Sequence, residues 1–523
     1  MSTDISPKRD KIARNISQSH YIRMFMDTEI HLSGEVPPQE PTLKERAAKG
    51  LFWGGISNFV QQIIGAAFGI FIMRVLGPYN YGLIGMLLIF SAVANSLMDS
   101  GFTVALVNKK EIKHEDYNAV FWFSIMLGII LYIILFFSAP LIAKYYDNPI
   151  FTDLSRLLFL SFLINSMGFA HNAILIKKLM VKQRAKIDII SMSVSQSVGL
   201  IMALGGFLYW GLAIQAILMS LISVFMRWRY APWKPTILNI DFKPLKYMIG
   251  FSSKLLITNI FIQVSSYFLN VIIGKKYGAT QAGYYSRGQY WMQLANTTIN
   301  GMISSVAQPV LVEVNTDSGR QLQIFRKMLR FGAFISFPAM FGLAFISREF
   351  ILLTLGEDWI ATIPILQIFC IYGGFSFMAH LYYQFLLSHG KSNLVLLYYL
   401  FFFVLTIVIT IVTAGYNMLL TVIAYNLLCM IGIVAWHYFA GKLIGLNIVT
   451  LIKDIIPYFG IAIGCIGIAW IVTIPMENLI FILISKILIV ASLYLSIVWF
   501  SGSTILKESI LFLTKRLKKN YKG

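Results

Sequence analysis

Apolar stretches that could cross a bilayer follow one another through most of the chain, and they limit the fold more than any other feature. A transmembrane helix needs about 20 mostly apolar residues. Fourteen candidates cover residues 51–76, 81–107, 118–142, 153–176, 187–209, 211–226, 247–274, 282–312, 328–347, 360–388, 393–413, 417–440, 455–474 and 479–500. Only 13% of the 523 residues are charged, which is too few to cover the surface of a water-soluble domain. We therefore predict an all-α integral membrane protein with 14 transmembrane helices.

The basic residues are distributed as a membrane topology signal rather than as a nucleic-acid surface. The net charge is +20, but 34 of the 43 Lys and Arg fall on cytoplasmic segments when the N-terminus is placed in the cytoplasm. This excess follows the positive-inside rule. It predicts an even number of spans in a plasma membrane, with both termini cytoplasmic, and no nucleic-acid partner.

Other functional classes are disfavoured by composition. The segments between spans are short and leave no room for a soluble catalytic domain, so we expect that the chain is not an enzyme. The three cysteines lie singly in apolar stretches, which is typical of packing residues rather than of a disulfide or metal site. We predict neither a metal nor a cofactor. The first 49 residues lack the apolar core of a signal peptide, and we expect a cytoplasmic tail there.

The first half of the chain is repeated at an offset of 201 residues. The turn between spans 1 and 2 reappears between spans 7 and 8, so that Gly77 aligns with Gly278 and Gly82 with Gly283. Polar residues of the adjoining spans align in the same register, as Asn58/Asn259, Gln62/Gln263, Gly65/Ser266, Gly69/Asn270, Asn95/Asn296 and Asp99/Asn300. Six spans separate the copies, so both have the same orientation. Parallel repeats with the substrate between them are a transporter architecture.

The repeat divides the chain into parts. We expect two parallel six-helix lobes followed by two further helices. The divisions are a cytoplasmic N-terminal tail (1–49), an N-lobe with spans 1–6 (50–230), an inter-lobe cytoplasmic loop (231–245), a C-lobe with spans 7–12 (246–442), spans 13 and 14 (443–503) and a basic cytoplasmic tail (504–523).

The aligned polar residues lie on one face of each helix. They recur at i, i+4, i+7 and i+11, which places them in a single stripe. Polar side chains are expensive in hydrocarbon, so such a stripe faces a wet cavity or forms hydrogen-bonding glue between helices. We favour the cavity, and its candidate substrate-binding residues are Asn58, Gln62, Asn259, Gln263 and Asn270.

Four motifs give the chain a resemblance to a known transporter superfamily. They are Leu76-Gly77-Pro78 with Tyr81-Gly82, LMDSGFTVALV at 97–107, KKLMVKQ at 177–183 and LLTLGEDWIATIPILQI at 352–368. With these motifs in order, the chain resembles the multidrug/oligosaccharidyl-lipid/polysaccharide (MOP) exporter superfamily over residues 42–500. Within it, the chain is similar to the polysaccharide flippases of the Wzx and WzxC type. The resemblance implies a MATE-like fold.

The resemblance also implies a function. Such proteins translocate undecaprenyl-pyrophosphate-linked oligosaccharide units across the bacterial inner membrane by alternating access, for O-antigen, capsule or exopolysaccharide biosynthesis. The implied partners are this oligosaccharide, the membrane lipids, and a polysaccharide polymerase or glycosyltransferases. The alternatives are a cation-coupled multidrug exporter of the same superfamily and a membrane polysaccharide polymerase. The exporter predicts acidic residues deep in the N-lobe, and a polymerase needs a carboxylate cluster at the membrane edge.

An anionic pyrophosphate that carries sugars requires basic and hydrogen-bonding side chains. The basic candidates are Lys254, within span 7, and three residues at the outer ends of spans, Arg74, Lys275 and Arg287. Lys254 lies about 160° around its helix from the polar stripe and could instead extend to the head groups. At the inner ends of spans 2 and 8 stand two acidic residues, Asp99 and Glu313. They are candidate gating or ion-coupling residues, or ion-pair partners of a nearby lysine.

Overall fold

The computed structural model describes residues 43–99, 102–109, 111–237, 240–313 and 318–501. The description below concerns the compact unit that begins at Phe52. Its regular structure, within the described ranges, consists of α-helices and one 3-10 helix, Glu357–Trp359. The helices are α1 (Leu43–Asp99), α2 (Phe102–Asn108), α3 (His114–Tyr146), α4 (Ile150–Ser166), α5 (Phe169–Lys177), α6 (Val181–Leu204), α7 (Leu208–Tyr230), α8 (Lys243–Glu313), α9 (Ser318–Thr354), α10 (Thr362–Ser388), α11 (Ser392–Thr413), α12 (Met418–Ile444), α13 (Ile448–Thr473) and α14 (Leu479–Phe500).

The described helices confirm an all-α membrane protein. Eleven of them are long and apolar enough to cross a membrane, and the bent pair α4 and α5 raises the number to twelve. Two of the eleven are much longer than one span, because their apolar parts cover 42 residues in α1 and 49 residues in α8. A bilayer core needs about 20. If α1 and α8 each cross twice, the twelve candidates correspond to the fourteen predicted spans.

A single glycine breaks each of the two long helices. Gly77 has φ 68° and ψ 175°, and Gly278 has φ 86° and ψ 174°. Positive φ is accessible to glycine because it has no Cβ, so these two positions of the repeat need this residue. Pro78 follows directly, where its fixed φ suits the start of a new helix. The Asn80 side chain donates a hydrogen bond to the Leu76 carbonyl, 2.6 Å away, and satisfies an acceptor at the break.

Two predicted spans are not continuous helices. The span predicted at 81–107 is divided, because α1 ends at Asp99 and α2 begins at Phe102. The span predicted at 153–176 bends by 44° between α4 and α5. The bend falls at Gly168, where an added Cβ would lie 3.0 Å from the Val224 side chain of α7. Close packing of α7 against the bend explains a glycine at this position.

The helices form two bundles and a peripheral pair. In the first bundle α3 packs on α4, α4 on α7, and α6 on α7. In the second, α10 packs on α8, α9 and α12. The last two helices, α13 and α14, pack on α9. The Arg326 Nε of α9 lies 2.7 Å from the Asp454 carboxylate of α13, and the Lys486 Nζ of α14 lies 3.0 Å from the Glu349 carboxylate of α9. Two ion pairs therefore fasten α13 and α14 to the second bundle.

Candidate functional site

The two glycine breaks meet at one end of the bundle, which we call the glycine end. A Cβ added to Gly82 would overlap the carbonyl oxygen of Ala279, and one added to Gly283 would overlap the carbonyl oxygen of Pro78. The backbones of α1 and α8 are therefore as close as glycine permits. The two lobes touch here without any side chain between them.

The close approach is symmetric. Adding the repeat offset of 201 residues converts Gly82 into Gly283 and Pro78 into Ala279, so each contact is the image of the other. Gly85 faces Ser286, its own image, with an added Cβ 3.3 Å from the Ser286 side chain. A pseudo-twofold axis therefore passes between α1 and α8. This contact explains why Gly82 and Gly283 repeat as well as the glycines at the breaks.

Further contacts close the glycine end. The Asn270 side chain of α8 donates to the Gly85 carbonyl of α1 at 3.0 Å. The Trp359 indole donates to the Met73 carbonyl at 3.2 Å, and Lys275 Nζ pairs at 2.6 Å with the carboxylate of Asp147, the residue after α3. Each joins a residue before the inter-lobe loop to one after it. The structure thus holds the lobes together at the glycine end.

Arg287 lies inside the membrane part of α8, between the lobes. It is nine residues past Gly278, or about 14 Å along the helix at about 1.5 Å per residue. This is deeper than the outer-end position expected from the sequence. Its guanidinium carbon stands 4.5 Å from the ring centre of Tyr81 in the N-lobe and 4.9 Å from that of Tyr290 in the C-lobe. Both distances are typical of cation–π contacts.

No carboxylate balances this charge among the described side chains. The titratable groups that interact with Arg287 there are three tyrosines, Tyr81, Tyr290 and Tyr267. Its Nε is buried and has no hydrogen-bond partner within the described part of the chain. An unpaired cation inside a membrane protein is expensive and marks a functional site by default. The repeat carries Met86 at the equivalent position of the N-lobe, so this cation is present on one side of the axis.

Some residues of the two predicted polar stripes lie between the lobes, and others are exposed. Thr298 Oγ1 of α8 donates to Gln62 Oε1 of α1 at 2.9 Å, which joins the lobes. Asn270 is buried at the lobe contact described above, whereas Asn58 and Asn259 are exposed and Gln263 is half-buried. The stripes thus combine inter-lobe contacts with side chains that are open to their surroundings.

The other predicted site residues stand apart from Arg287 or outside the description. Arg74 is exposed at the glycine end, and Lys275 is held there by Asp147. The side chains of Lys254, Asp99 and Glu313 lie outside the described residues.

Sequence reasoning missed the partners of Arg287 and the role of Trp359. Tyr81 belongs to the first-hairpin motif and Trp359 to the motif before span 10, so the sequence marked both residues although it did not indicate their contacts. The ring of Tyr81 also meets that of Trp359 edge-on, at 6.0 Å between ring centres. The motif residues therefore converge on one place although 278 positions separate them in the chain.

Comparisons with known proteins agree with this architecture. Residues 71–364 match the family described as "Polysaccharide biosynthesis protein". The lipopolysaccharide biosynthesis protein WzxC of Escherichia coli (strain K12) is 25% identical over 64% of this chain and 68% of its own length. The teichuronic acid biosynthesis protein TuaB of Bacillus subtilis (strain 168) is 26% identical over 58% of this chain and 62% of its own length.

Among solved structures, the lipid II flippase MurJ in an inward closed conformation has the same fold. It superposes with a TM-score of 0.63 at 16% identity, over 87% of this chain and 98% of MurJ. The family match covers more than half of the chain, and the fold of two lobes with two further helices accords with it. The chain belongs to the polysaccharide biosynthesis protein family.

Proposed function

We propose that the protein is a flippase for lipid-linked oligosaccharides. The substrate class is an undecaprenyl-pyrophosphate-linked sugar unit, and the route runs between the two lobes in the bacterial inner membrane. Family membership supports a role in polysaccharide biosynthesis. The relatives named for lipopolysaccharide and teichuronic acid biosynthesis support a product of the cell envelope.

Arg287 is the observation that carries the proposal. Arg287 is half-buried, its buried Nε has no hydrogen-bond partner and no carboxylate balances its charge in the described part of the chain, so it is a group that can bind an anion. Arginine offers a planar fork of donors that matches phosphate oxygens. Tyr81 and Tyr290 flank it from opposite lobes, so a pyrophosphate bound to Arg287 would lie next to residues of both lobes.

The distribution of charge supports an orientation in the membrane. The basic segments between spans, including the inter-lobe loop, lie at the end opposite to the glycine end. By the positive-inside rule that end faces the cytoplasm, with both termini, and the glycine end faces outward. The closed glycine end then corresponds to a state that receives substrate from the inner leaflet. Opening of the contacts at Gly82 and Gly283 would release it outside. Alternating access of this kind needs no bond chemistry, which supports a transporter rather than an enzyme.

The test is leaflet assignment of the lipid-linked oligosaccharide in cells that lack the protein. We expect the intermediate to accumulate on the inner leaflet and the wild-type gene to restore its appearance outside. Arg287→Ala should reduce this rescue by at least about tenfold, since a charge-assisted contact contributes about 1.5–3 kcal/mol. Arg348→Ala is the matched control, because Arg348 is an exposed arginine near the glycine end. Normal outer-leaflet levels without the protein would refute the proposal.

A multidrug exporter of the same superfamily is the competing function. A cation-coupled exporter is expected to carry acidic residues deep in the N-lobe, whereas the charged group that lies between the lobes here is the cation Arg287. Drug susceptibility of the same deletion strain separates the two functions. Lost polymer with unchanged drug susceptibility supports the flippase.

A further inference from the structure

Two helices of the C-lobe are joined by a ladder of polar side chains, two of which, Asn296 and Asn300, belong to the repeat. On α8 the ladder contains Asn296, Asn300 and Ser304, and on α10 it contains Ser376, His380 and Gln384. Both sets recur every four residues, so each lies along one helix face. The ladder runs through membrane-spanning parts of both helices. Amide and hydroxyl side chains in a membrane commonly join helices, whereas an ionisable residue at such depth, here His380, is a functional candidate by default.

The ladder consists of two hydrogen-bonded clusters that follow one another along the helix axes. Ser376 donates to Asn296 Oδ1 at 2.8 Å, and Asn300 donates to the same oxygen at 3.2 Å. Ser304 Oγ lies 2.5 Å from His380 Nε2, and Gln384 Nε2 lies 3.5 Å from the same ring nitrogen. The buried Asn300 Oδ1 has no partner among the described residues. One acceptor is therefore left open on Asn300, four residues along α8 from the Ser304 that contacts His380.

The short contact between Ser304 Oγ of α8 and His380 Nε2 of α10 joins the two helices. Gln384 Nε2 lies beside this contact, 3.4 Å from Ser304 Oγ and 3.5 Å from His380 Nε2. When the ring is neutral with its proton on Nδ1, Nε2 accepts a hydrogen bond from the Ser304 hydroxyl. His380 is only half-buried, so its ring is accessible from one side.

A proton on Nε2 would reverse these contacts. The Ser304 hydroxyl would turn so that its oxygen accepts, and the Gln384 amide would turn its oxygen toward the ring. Protonation would therefore rearrange the contact that joins α8 to α10. α8 also carries Arg287 and Thr298, which contact the N-lobe residues Tyr81 and Gln62. A shift of α8 would therefore change these contacts between the lobes.

We propose that His380 is a proton-binding site that couples proton movement to the transport cycle. The neutral ring matches the state that is closed at the glycine end, and the protonated ring favours the other state. A proton would bind when the lobes open outward and leave when they close there. This inference rests on the proposed function, because a proton gradient can drive only a cycle that moves something.

Other charged and titratable groups lie on the helices around α10. In the same half of the bundle these are Arg326, Lys327 and Arg330 on α9, Lys391 before α11, His437 and Lys442 on α12, and His389 after α10. The side chains of Glu313 and Lys254 on α8 are outside the described residues. Asp454 binds Arg326 and Arg330, and Tyr382 lies 2.7 Å from His437. None of these contacts lies in the ladder.

The first test measures flipping in proteoliposomes with and without a pH gradient, using a fluorescent polyprenyl-pyrophosphate oligosaccharide as the probe. Wild-type protein should flip the probe several-fold faster with the gradient. His380→Gln should flip it at one rate in both conditions. His437→Gln is the matched control, since it also removes a hydrogen-bonded histidine from the C-lobe, and it should respond to the gradient as the wild type does. A normal gradient response in His380→Gln would overturn the proposal.

The second test does not depend on transport. The histidine ring signals of the full protein in nanodiscs are followed by NMR from about pH 5 to about pH 8, the range in which histidine ordinarily titrates. His380→Gln assigns the signal. We expect it to titrate, and Gln384→Leu to move the midpoint, because the amide next to Nε2 is removed. A signal that stays neutral throughout, or a midpoint unmoved by Gln384→Leu, rejects the proton site even if flipping is observed. Titration without flipping rejects the proposed function instead.

Discussion

Gly82 of the N-lobe stands so close to Ala279 of the C-lobe that any side chain on Gly82 would overlap the Ala279 carbonyl oxygen. The image of this contact, Gly283 against Pro78, lies across the pseudo-twofold axis. Both partners are backbone atoms of helices, which cannot turn aside as a flexible side chain can. The glycine end can therefore close only because the residues at positions 82 and 283 have no Cβ.

Gly82→Ala and Gly283→Ala should each open the glycine end. Overpacking of this kind costs about 1–3 kcal/mol, which changes a two-state population by about 5- to 150-fold. The measurement is the distance between spin labels at Tyr79→Cys and Thr280→Cys, which should lengthen and broaden. Gly342→Ala is the control, because an added Cβ there meets no atom within 4 Å. Unchanged distances in both variants would show that the contact does not hold the lobes.

The ion pair between Lys275 and Asp147 should bias the same equilibrium more weakly. The Asp147 side chain is 80% exposed, and exposed ion pairs contribute only about 0–1 kcal/mol. Asp147→Asn is expected to widen the same spin-label distance slightly, and high salt should abolish the difference. The exchanged pair Lys275→Asp with Asp147→Lys should restore the wild-type distances. Equal widening in the exchanged pair would exclude an electrostatic role.

Replacing Arg287 with methionine should stabilise the protein while it removes transport. Methionine is the residue that the repeat places at the equivalent position, Met86. An unpaired buried charge opposes folding, and active sites commonly trade stability for function. We expect a Tm that rises by a few degrees, with rescue of polymer synthesis lost. A lower Tm for Arg287→Met would mean that the guanidinium stabilises the fold.

The buried pair Lys486–Glu349 should behave in the opposite way. Both side chains are at most 10% exposed, and removal of one partner leaves an uncompensated charge, at a cost of about 3–5 kcal/mol. Lys486→Met should therefore lower Tm strongly, and the double variant Lys486→Met with Glu349→Gln should recover most of the loss. The exposed pair Arg156–Asp153, with Asp153 76% exposed, offers a control in which Asp153→Asn has little effect. If the decrease in Tm of the double variant equals the sum of the decreases in the two single variants, Lys486 and Glu349 are not coupled.

The order of spans and the two helix breaks could be predicted from the sequence because both depend on local properties. Hydropathy over about 20 residues determines whether a segment can cross the bilayer. Gly77 and Gly278 are marked by their repeat and by the turn residue Pro78. The bend at Gly168 was missed, because its cause is the neighbouring α7 rather than the sequence around it.

The sequence by itself determined the membrane class, the repeat and the polar face of each helix, since periodicity tells which residues share a face. Only the tertiary structure decided which faces meet. Tyr81 reaches Arg287 and Gln62 reaches Thr298, and the α8–α10 ladder joins residues 80 positions apart in the case of Asn296 and Ser376. Such pairings depend on how whole helices pack in three dimensions, and no local pattern in the chain encodes the choice of partner.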